Sequence, residues 1–368
     1  MSSRIKSELL ELNMGPQHPS THGVLRLAVK LDGEVVVECH PDVGYLHRGV
    51  EKLAEMRQYI QFIPITDRLD YLASMLGNMA YIGAVEKLAQ IEVPERAEYI
   101  RVIMMELNRI ASHLIFYGTM GLDLGATTPF LYGMREREDI LDLFEMTCGA
   151  RLTYNYFRPG GVSKDLPAGF YEKCKAYIKK QRERLPEYDD LLTGNQIFIS
   201  RTRNVGVISA QEAVNYSMSG PSLRATGVPY DVRRVDPYSI YDKLDWQVVT
   251  RTEGDTRARY QCRVDEIRQS LNIVEQALDM MPEGELKYKT PLKLKVPEGE
   301  VYFHVESARG DVGVYLVSDG SDKPYRLKWR APSFINLGAL NDMVRGAKVA
   351  DVIAVLGSLD VVLGEVDR

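Results

Sequence analysis

The stretch from Asn13 to Gly23 constrains the fold more than any other part of this sequence. Its eleven residues include two histidines, two prolines and two glycines. Proline fixes φ and lacks a backbone donor, and glycine loosens the backbone, so this stretch cannot continue a helix or a central strand. The sequence therefore predicts a shaped loop, and a loop that holds two imidazoles is a suitable place for chemistry.

The residues that follow this loop have the pattern of strands. Residues 24–29 and 34–38 are rich in alternating or β-branched apolar side chains, and Asp32-Gly33 between them is a hairpin signal. The first fifty residues are therefore predicted to form a small antiparallel sheet that carries the histidine loop.

From Glu51 onward the pattern becomes helical. Tyr71, Met75 and Met79 are spaced four apart, which predicts one apolar face of a helix. Pro94 is predicted to open a long helix, because proline is tolerated in the first turn and acidic residues follow it.

A further helix is predicted from Met134 to Cys148, with a glycine directly after its end. Residues 118–129 contain three glycines and a proline, and they predict a loop that interrupts the helices. Asp123 lies in this stretch, either as an exposed turn residue or as a buried, partnered acid. The mixed charges of residues 135–139 are expected to form a solvated or ion-paired surface.

Strand patterns return late in the chain. Alternating segments at residues 301–305, 312–318 and 325–329 predict an antiparallel meander. The predicted architecture is α+β, with a central helical bundle, an N-terminal antiparallel sheet and a late β-meander. We expect a single domain over residues 1–368, whose regions are the N-terminal sheet (1–50), the helical bundle (51–290), the meander (291–335) and a C-terminal segment (336–368).

Composition and charge exclude several classes of function. The formal net charge of −5 gives no reason to expect nucleic acid, and no uninterrupted apolar run is long enough to span a bilayer. The N-terminus lacks the apolar core of a signal peptide, so we expect a cytosolic location, alone or docked on a membrane complex. Residues 220–234 are basic but lack nucleotide-binding glycine spacing, so their arginines are expected to hold structure, a partner or a ligand.

The cysteines point away from a metal site within this chain. All four are isolated in sequence, so neither a zinc ribbon nor a self-ligated iron–sulfur cluster is expected. They are expected to be small buried hydrophobic residues; they are Cys39, Cys148, Cys174 and Cys262. If the protein handles electrons, the metal belongs to a partner.

Four of the six histidines lie in the first fifty residues, namely His18, His22, His40 and His47. They allow a zinc or iron site, although the helical spacing and the nearby acids of such sites are missing. They also allow a loop imidazole that donates a hydrogen bond and a proton to an organic carbonyl, or histidines that only satisfy backbone groups. Tyr71 also allows two interpretations. Its spacing to Met75 fits a core aromatic, whereas the unusually charged residues just before it indicate the wall of a polar cavity.

Residues 15–23, followed by Gly44-Tyr45-Leu46-His47-Arg48-Gly49, resemble the D-subunit family of respiratory complex I. The resemblance continues in family order through most of the chain, for example at residues 68–71, 122–129, 155–158, 306–310 and 358–360. It implies the fold of nickel–iron hydrogenase large subunits and the role of the subunit that reduces ubiquinone or menaquinone in NADH-quinone oxidoreductase.

The resemblance also implies site residues. His22 matches the histidine that hydrogen-bonds one quinone carbonyl, Tyr71 the tyrosine that bonds the other, and Asp123 the acid paired with that histidine. Three further residues match positions near the terminal 4Fe-4S cluster of the neighbouring B subunit; they are Arg48, Arg68 and His113.

The same resemblance implies partners. They are the B subunit with its cluster, the C and I subunits, and a membrane subunit at the quinone entrance. The complex is expected on the cytoplasmic face of the cell membrane.

The resemblance leaves open an alternative function, that of a scaffold subunit in a ferredoxin-fed or hydrogenase-like membrane complex. A hydrogenase itself is excluded on ligand chemistry, because Val362 and Glu365 stand where its terminal cysteines would be. Thr153 stands where many members carry a histidine, so a proton-coupled role at that position is not expected.

Overall fold

The computed structural model describes residues 9–17, 23–291 and 293–368. It contains an N-terminal and a late three-stranded antiparallel sheet, with most of the helices between them in sequence, so the predicted α+β architecture is confirmed. The strands are β1 (Leu10–Met14), β2 (Arg26–Asp32), β3 (Val35–Asp42), β4 (Phe157–Arg158), β5 (Gly161–Val162), β6 (Gly299–Glu306), β7 (Asp311–Ser318) and β8 (Arg326–Arg330).

The helices form most of the interior. They are α1 (Val50–Met56), α2 (Tyr59–Thr66), α3 (Ser74–Ala89), α4 (Glu95–Asp123), α5 (Thr127–Cys148), α6 (Phe170–Tyr188), α7 (Gln196–Thr202), α8 (Ala210–Asn215), α9 (Gly220–Arg224), α10 (Val232–Val235), α11 (Thr256–Met280), α12 (Pro332–Leu337), α13 (Leu340–Val344), α14 (Val349–Leu359) and α15 (Leu363–Asp367). A π-helical turn (Asp189–Thr193) and a 3-10 turn (Tyr241–Lys243) complete the set.

The N-terminal sheet has the order β1-β2-β3, and the predicted turn at Asp32-Gly33 joins β2 to β3. Alternate residues of β2 point inward, so Leu27, Val29 and Leu31 are buried. They share a hydrophobic cluster with the C-terminal helices, including Val355 and Leu359 of α14. The two ends of the chain therefore pack on each other.

Helix α4 is the central helix of the fold. It begins directly after Pro94, as the sequence predicts, and almost every residue from Tyr99 to Leu114 is buried. It packs against α5 and α11, while α3 packs on the late sheet. A helix buried on all sides provides a rigid element from which a site can be built.

The predicted loop at residues 118–129 is wrong. Helix α4 continues to Asp123 and α5 begins at Thr127, so only three residues separate the two helices, and Asp123 closes α4 rather than lying in a long loop. The glycines serve close packing: a β-carbon at Gly118 would lie 2.8 Å from the Cα of Phe130, and one at Gly121 would lie 3.1 Å from the carbonyl oxygen of Ala126. The predicted end of α5 at Cys148, with Gly149 in the left-handed conformation, is confirmed.

The prediction that Tyr71 shares a helix face with Met75 and Met79 is also wrong. Helix α3 begins at Ser74, and Tyr71 lies in the turn before it with 37% of its surface exposed. Met75 and Met79 are buried in the core as expected. Tyr71 is therefore a surface residue of a cavity and not a core aromatic.

Charged residues are buried more often than the sequence indicates. Glu136, in the segment expected to be a solvated or ion-paired surface, is fully buried and pairs with Arg135 at 2.5 Å. In the basic stretch, Arg224 is fully buried between Glu306 and Glu266, and Arg233 contacts Glu106 at 3.1 Å. The arginines of that stretch hold structure.

The late sheet is the predicted meander, with the order β6-β7-β8. The chain then returns through α12, α13 and α14 to α15, whose residues are all buried. Among the described residues, no helix combines the length and the apolar character that crossing a membrane requires. The four cysteines are free, and Cys39, Cys174 and Cys262 are buried as expected, while Cys148 is partly exposed.

Candidate functional site

A cavity of about 480 Å³ lies between the turn before α3, the end of α4 and the segment that joins α14 to α15. Most of its lining is apolar, with one phenol and two carboxyl groups among it. The lining residues are Gly23, Tyr71, Leu72, Ile115, Thr119, Leu122, Asp123, Asp360, Val361 and Val362. A cavity of this size with apolar walls and a few convergent polar groups is typical of a small-molecule site.

The turn that presents Tyr71 is held by the side chains of Asp70 and Asn108. The Asp70 carboxylate accepts hydrogen bonds from the backbone N–H groups of Leu72 and Ala73, both at 3.2 Å. Asn108, buried in α4, accepts from the N–H of Met75 and donates to the carbonyl oxygen of Leu72, both at 3.0 Å. These bonds attach the turn to the central helix and fix the backbone position of Tyr71.

The second wall is the last part of α4. Ile115, Thr119, Leu122 and Asp123 lie at successive spacings of four, three and one, so they share one face of the helix. The Thr119 hydroxyl donates to the carbonyl oxygen of Ile115 at 3.0 Å, within the helix. Tyr71 and Asp123, which are far apart in sequence, therefore line the same cavity.

The third wall comes from residues 360–362. Asp360 ends α14 in the left-handed conformation, with φ at 56°. Its main-chain and side-chain oxygens accept hydrogen bonds from Arg309, at 3.1 and 3.2 Å. This arginine fixes the bend that brings Val361 and Val362 to the cavity.

His22 lies outside the described residues, as does His18. Gly23, the residue after His22, lines the cavity, and a β-carbon on it would lie 3.2 Å from a methyl group of Leu363 in α15. The other two early histidines have local partners: His40 contacts Glu38 at 2.5 Å, and His47 Nδ1 donates to the carbonyl oxygen of Asp367 at 2.6 Å.

The electrostatics of the turn favour a neutral phenol. Burial raises the pKa of Tyr71, and the nearby Asp70 carboxylate raises it further, while Arg309 acts in the opposite direction. Burial likewise raises the pKa of Asp70, although the Arg309 guanidinium opposes the shift. Tyr71 therefore carries its proton near neutral pH and can donate it as a hydrogen bond into the cavity.

Arg48 and Arg68, two of the residues matched to the neighbourhood of a partner's cluster, lie together at the surface. Arg48 donates to the carbonyl oxygen of Arg68 at 2.8 Å, and Arg68 donates to the carbonyl oxygen of Pro64 at 2.5 Å. Both side chains are exposed. Their charges are available to a neighbouring molecule, and Arg68 is only three residues away from Tyr71 in sequence.

His113, the third such residue, lies elsewhere. It is buried in α4 and contacts Glu266 of α11 at 2.9 Å. Burial lowers the pKa of His113, although Glu266 acts in the opposite direction, and this shift favours the neutral imidazole. His113 does not reach the surface of this chain, so the structure does not present it to a neighbouring molecule.

Thr153 lies in a short segment with unusual backbone geometry, because Thr153 and Asn155 both have positive φ, at 55° and 45°. The N–H of Asn155 donates to Asp67 at 3.1 Å, and Asp67 is buried directly before Arg68. Burial raises the pKa of Asp67 to about 7. Sequence analysis missed this acid.

The described residues include no group of three or more histidine, cysteine, aspartate or glutamate side chains that could hold a metal ion. Sequence analysis also missed four residues that hold the cavity, namely Asp70, Asn108, Arg309 and Asp360. The charged run before Tyr71 contains Asp70, and it was a signal for that residue alone. Asn108 lies within an apolar helical stripe, and Arg309 and Asp360 come from distant parts of the chain.

Comparisons with known proteins agree with the resemblance. A family model described as the 49 kDa subunit of respiratory-chain NADH dehydrogenase matches residues 123–293 and 289–368. The chain is 56% identical over 363 residues to the NADH-quinone oxidoreductase D subunit from Desulforamulus reducens, with 99% of both chains covered. It is 54% identical to the protein of the same name from Geobacillus thermodenitrificans, over 99% of this chain and 100% of the relative. The corresponding Bacillus anthracis protein is 53% identical, with the same coverage of both chains.

Proposed function

Because the chain belongs to the family of the 49 kDa subunit of respiratory-chain NADH dehydrogenase, we propose that it is the quinone-binding subunit of an NADH-quinone oxidoreductase. The cavity beside Tyr71 receives the quinone headgroup. The observation that carries this proposal is that Tyr71 and Asp123 line the same cavity, which Gly23, the residue that follows His22 in the sequence, also lines.

The walls suit a quinone ring. Leu72, Ile115, Leu122 and the two valines at 361–362 offer apolar contact to a flat ring, and polar groups are few. Tyr71 can donate a hydrogen bond to one carbonyl oxygen of the quinone, and His22, by the resemblance, to the other. Asp123 would orient that histidine and stabilise its cationic form.

The proton chemistry follows from the substrate. A quinone that accepts two electrons gains two negative charges unless protons arrive, so donors aimed at both oxygens stabilise the charge as it develops. The phenol of Tyr71 is protonated near neutral pH because burial and Asp70 raise its pKa. Proton uptake at this site would be coupled to proton translocation in the membrane part of the complex.

The electrons come from the 4Fe-4S cluster of the B subunit. Arg48 and Arg68 present positive charge on the surface beside the Tyr71 turn, and we propose that they face that cluster. His113 would act from the interior. The C and I subunits are further neighbours, a membrane subunit forms the quinone entrance, and the complex is attached to the cytoplasmic face of the membrane. The quinone is ubiquinone or menaquinone.

The test is the quinone reductase activity of the assembled complex that carries Tyr71→Phe. Loss of the hydroxyl should lower activity or raise the quinone concentration required, while NADH still reduces the cluster. Met75→Leu, four residues along and buried in the core, is the packing control. If Tyr71→Phe behaves like this control, the chain is a scaffold subunit, as in ferredoxin-fed relatives, and the headgroup binds elsewhere.

A further inference from the structure

A cluster of five buried charged residues lies directly beneath the turn that presents Tyr71. Three of its members are acids and two are arginines; they are Asp70, Asp360, Glu365, Arg263 and Arg309. They come from four separate parts of the chain and are each at least nine-tenths buried. Only Asp360 also lines the cavity.

Arg309 pairs with two of the three acids. Its guanidinium contacts Asp70 and Asp360, both at 3.2 Å, and also donates to the hydroxyl of Ser112. Arg263 lies 3.5 Å from the second oxygen of Asp360 and donates to the carbonyl oxygens of Ser358 and Leu359. The two arginines therefore neutralise Asp70 and Asp360.

Glu365 has no arginine of its own among the described residues. One of its oxygens accepts a hydrogen bond from the backbone N–H of Ser333 at 3.1 Å, and the other has no hydrogen-bond partner in the part of the chain that the structure describes. Helix α12, which carries Ser333, brings no charged side chain to it. The charged groups that act on Glu365 are Asp70 and Arg309.

Glu365 is linked to Tyr71 through Asp70 and Arg309, whose charges act on both residues, and the helix that carries Glu365 packs on the Tyr71 turn through Gly364. A β-carbon at Gly364 would lie 2.7 Å from the carbonyl oxygen of Leu69, 3.0 Å from that of Arg68 and 3.6 Å from the ring of Tyr71. Helix α15 therefore packs directly on the turn. A change of charge at Glu365 acts on Asp70 and Arg309, and these two groups in turn act on Tyr71.

The charge balance leaves one acid too many. Two guanidinium groups balance two carboxylates, and a third buried carboxylate without a cation would be costly. Arg259, the next arginine in α11, has Asp255 as its own acidic neighbour. The cluster is neutral when one of its three acids holds a proton, and Glu365, which no described arginine contacts, is the acid whose ionised form is least stabilised.

We propose that Glu365 holds this proton in the resting protein, and that the ionisation of Glu365 controls how readily Tyr71 gives its own proton to the reduced quinone. Burial, together with the charge of Asp70, raises the pKa of Glu365 to about 8, which fits this assignment. The proposed link to turnover rests on the proposed function, whereas the protonation of Glu365 does not.

The step itself is a proton transfer. Two electrons reach the quinone from the partner's iron–sulfur cluster, the O–H bond of Tyr71 breaks, and a new O–H bond forms on the reduced quinone oxygen. Tyr71 is left as a phenolate. A neutral cluster beneath the turn tolerates this anion, whereas an ionised Glu365 gives the cluster a net negative charge and disfavours the transfer. Glu365 is therefore a positioning residue that acts through Tyr71.

The activity test is the pH profile of quinone reduction by the assembled complex with Glu365→Gln, each variant normalised to its own rate at pH 7. The wild-type rate should decline with a midpoint near 8. Glu365→Gln, neutral at every pH, should lose this decline, so its relative rate at pH 9 should exceed that of the wild type about tenfold. Glu365→Asp should restore a decline, and Glu172→Gln on the exposed surface of α6 should keep the wild-type profile.

The protonation is tested separately by infrared titration of the complex. The wild type should show the carbonyl stretch of a protonated carboxyl group that disappears with a midpoint near 8, and Glu365→Asp should shift this band. If no band assigned to this position titrates between about pH 6 and 9, the proposal is overturned whatever the activities are. If the band is present but Glu365→Gln keeps the wild-type alkaline decline, the control of Tyr71 is overturned. Neither result depends on Tyr71→Phe, which tests the quinone site itself.

Discussion

Replacement of Asn108 by alanine is expected to impair quinone reduction, although Asn108 does not line the cavity proposed for the quinone. The side chain of Asn108 bonds both Leu72 and Met75, at 3.0 Å each, and so ties the Tyr71 turn to α4. Asn108→Ala leaves the part-buried carbonyl oxygen of Leu72 and the buried N–H group of Met75 without these partners. A buried polar group that loses its partner costs about 1–3 kcal/mol.

The magnitude follows from these two bonds. Partial relaxation and entry of water reduce the sum to about 2–4 kcal/mol of local free energy, which favours displacement of the turn. If about 2 kcal/mol of this is lost from the alignment of Tyr71 in the transition state, kcat/KM for quinone falls roughly thirtyfold, because each 1.36 kcal/mol is about a factor of ten. The assay is NADH-driven quinone reduction in membranes, alongside the reduction level of the iron–sulfur cluster.

Asn78→Ala is the matched control. Asn78 is also fully buried and donates to the hydroxyl of Thr66 at 2.8 Å, but it does not line the cavity. It should lower stability while kcat/KM per assembled complex stays near the wild-type value. Equal kcat/KM losses in the two variants would mean that the turn is not positioned by Asn108, and the reasoning would fail.

Two further predictions concern buried charges. Arg224→Met leaves Glu266 and Glu306 without this arginine in the core, which should cost about 3–5 kcal/mol and sharply lower the amount of assembled complex in membranes; normal amounts, comparable with the exposed control Arg203→Met, would contradict this. Burial raises the pKa of Asp67 to about 7 in the folded chain, so the folded state binds this proton more tightly than the unfolded state. The protonated carboxyl group of Asp67 therefore stabilises the folded state at low pH, and this stabilisation is lost as the pH rises toward and through 7. Asp67→Asn should flatten the fall in thermal stability of the complex between about pH 4.5 and 8, and an unchanged slope would count against it.

The sequence predicts the elements of this fold where a local signal decides the structure. The turn at Asp32-Gly33, the start of α4 after Pro94 and the end of α5 before Gly149 depend on residues at the turn or cap itself. The late meander follows from alternation alone. These parts of the fold required no knowledge of distant contacts.

Predictions based on the same residue types were wrong where distant contacts decide. Gly118 and Gly121 look like helix breakers, yet they remain in α4 because α5 packs too closely for a β-carbon. Tyr71 fits a helical spacing, but Asp70 bonds the backbone of the turn before α3 and keeps Tyr71 outside the helix. Local propensity is a weak guide when tertiary packing opposes it.

The candidate site was predictable only in part. Tyr71 and Asp123 were predicted by resemblance, and both line one cavity. Residues that support the site, such as Arg309 and Asp360, gave no local signal, because a buried ion pair between distant segments has no sequence spacing. The functional roles of His22, Tyr71 and Asp123 remain predictions.

The most direct test of the quinone site is photoaffinity labelling of the assembled complex with a quinone that carries a small photoreactive group on its ring. The labelled peptides should contain residues that line the Tyr71 cavity, at positions 71–72, 115–123 or 360–362, and excess unlabelled quinone should prevent the labelling. A second cavity of about 640 Å³, lined by residues that include Glu98, Asp236 and His304, provides the comparison. Labelling confined to that cavity, or to other subunits, would contradict the account.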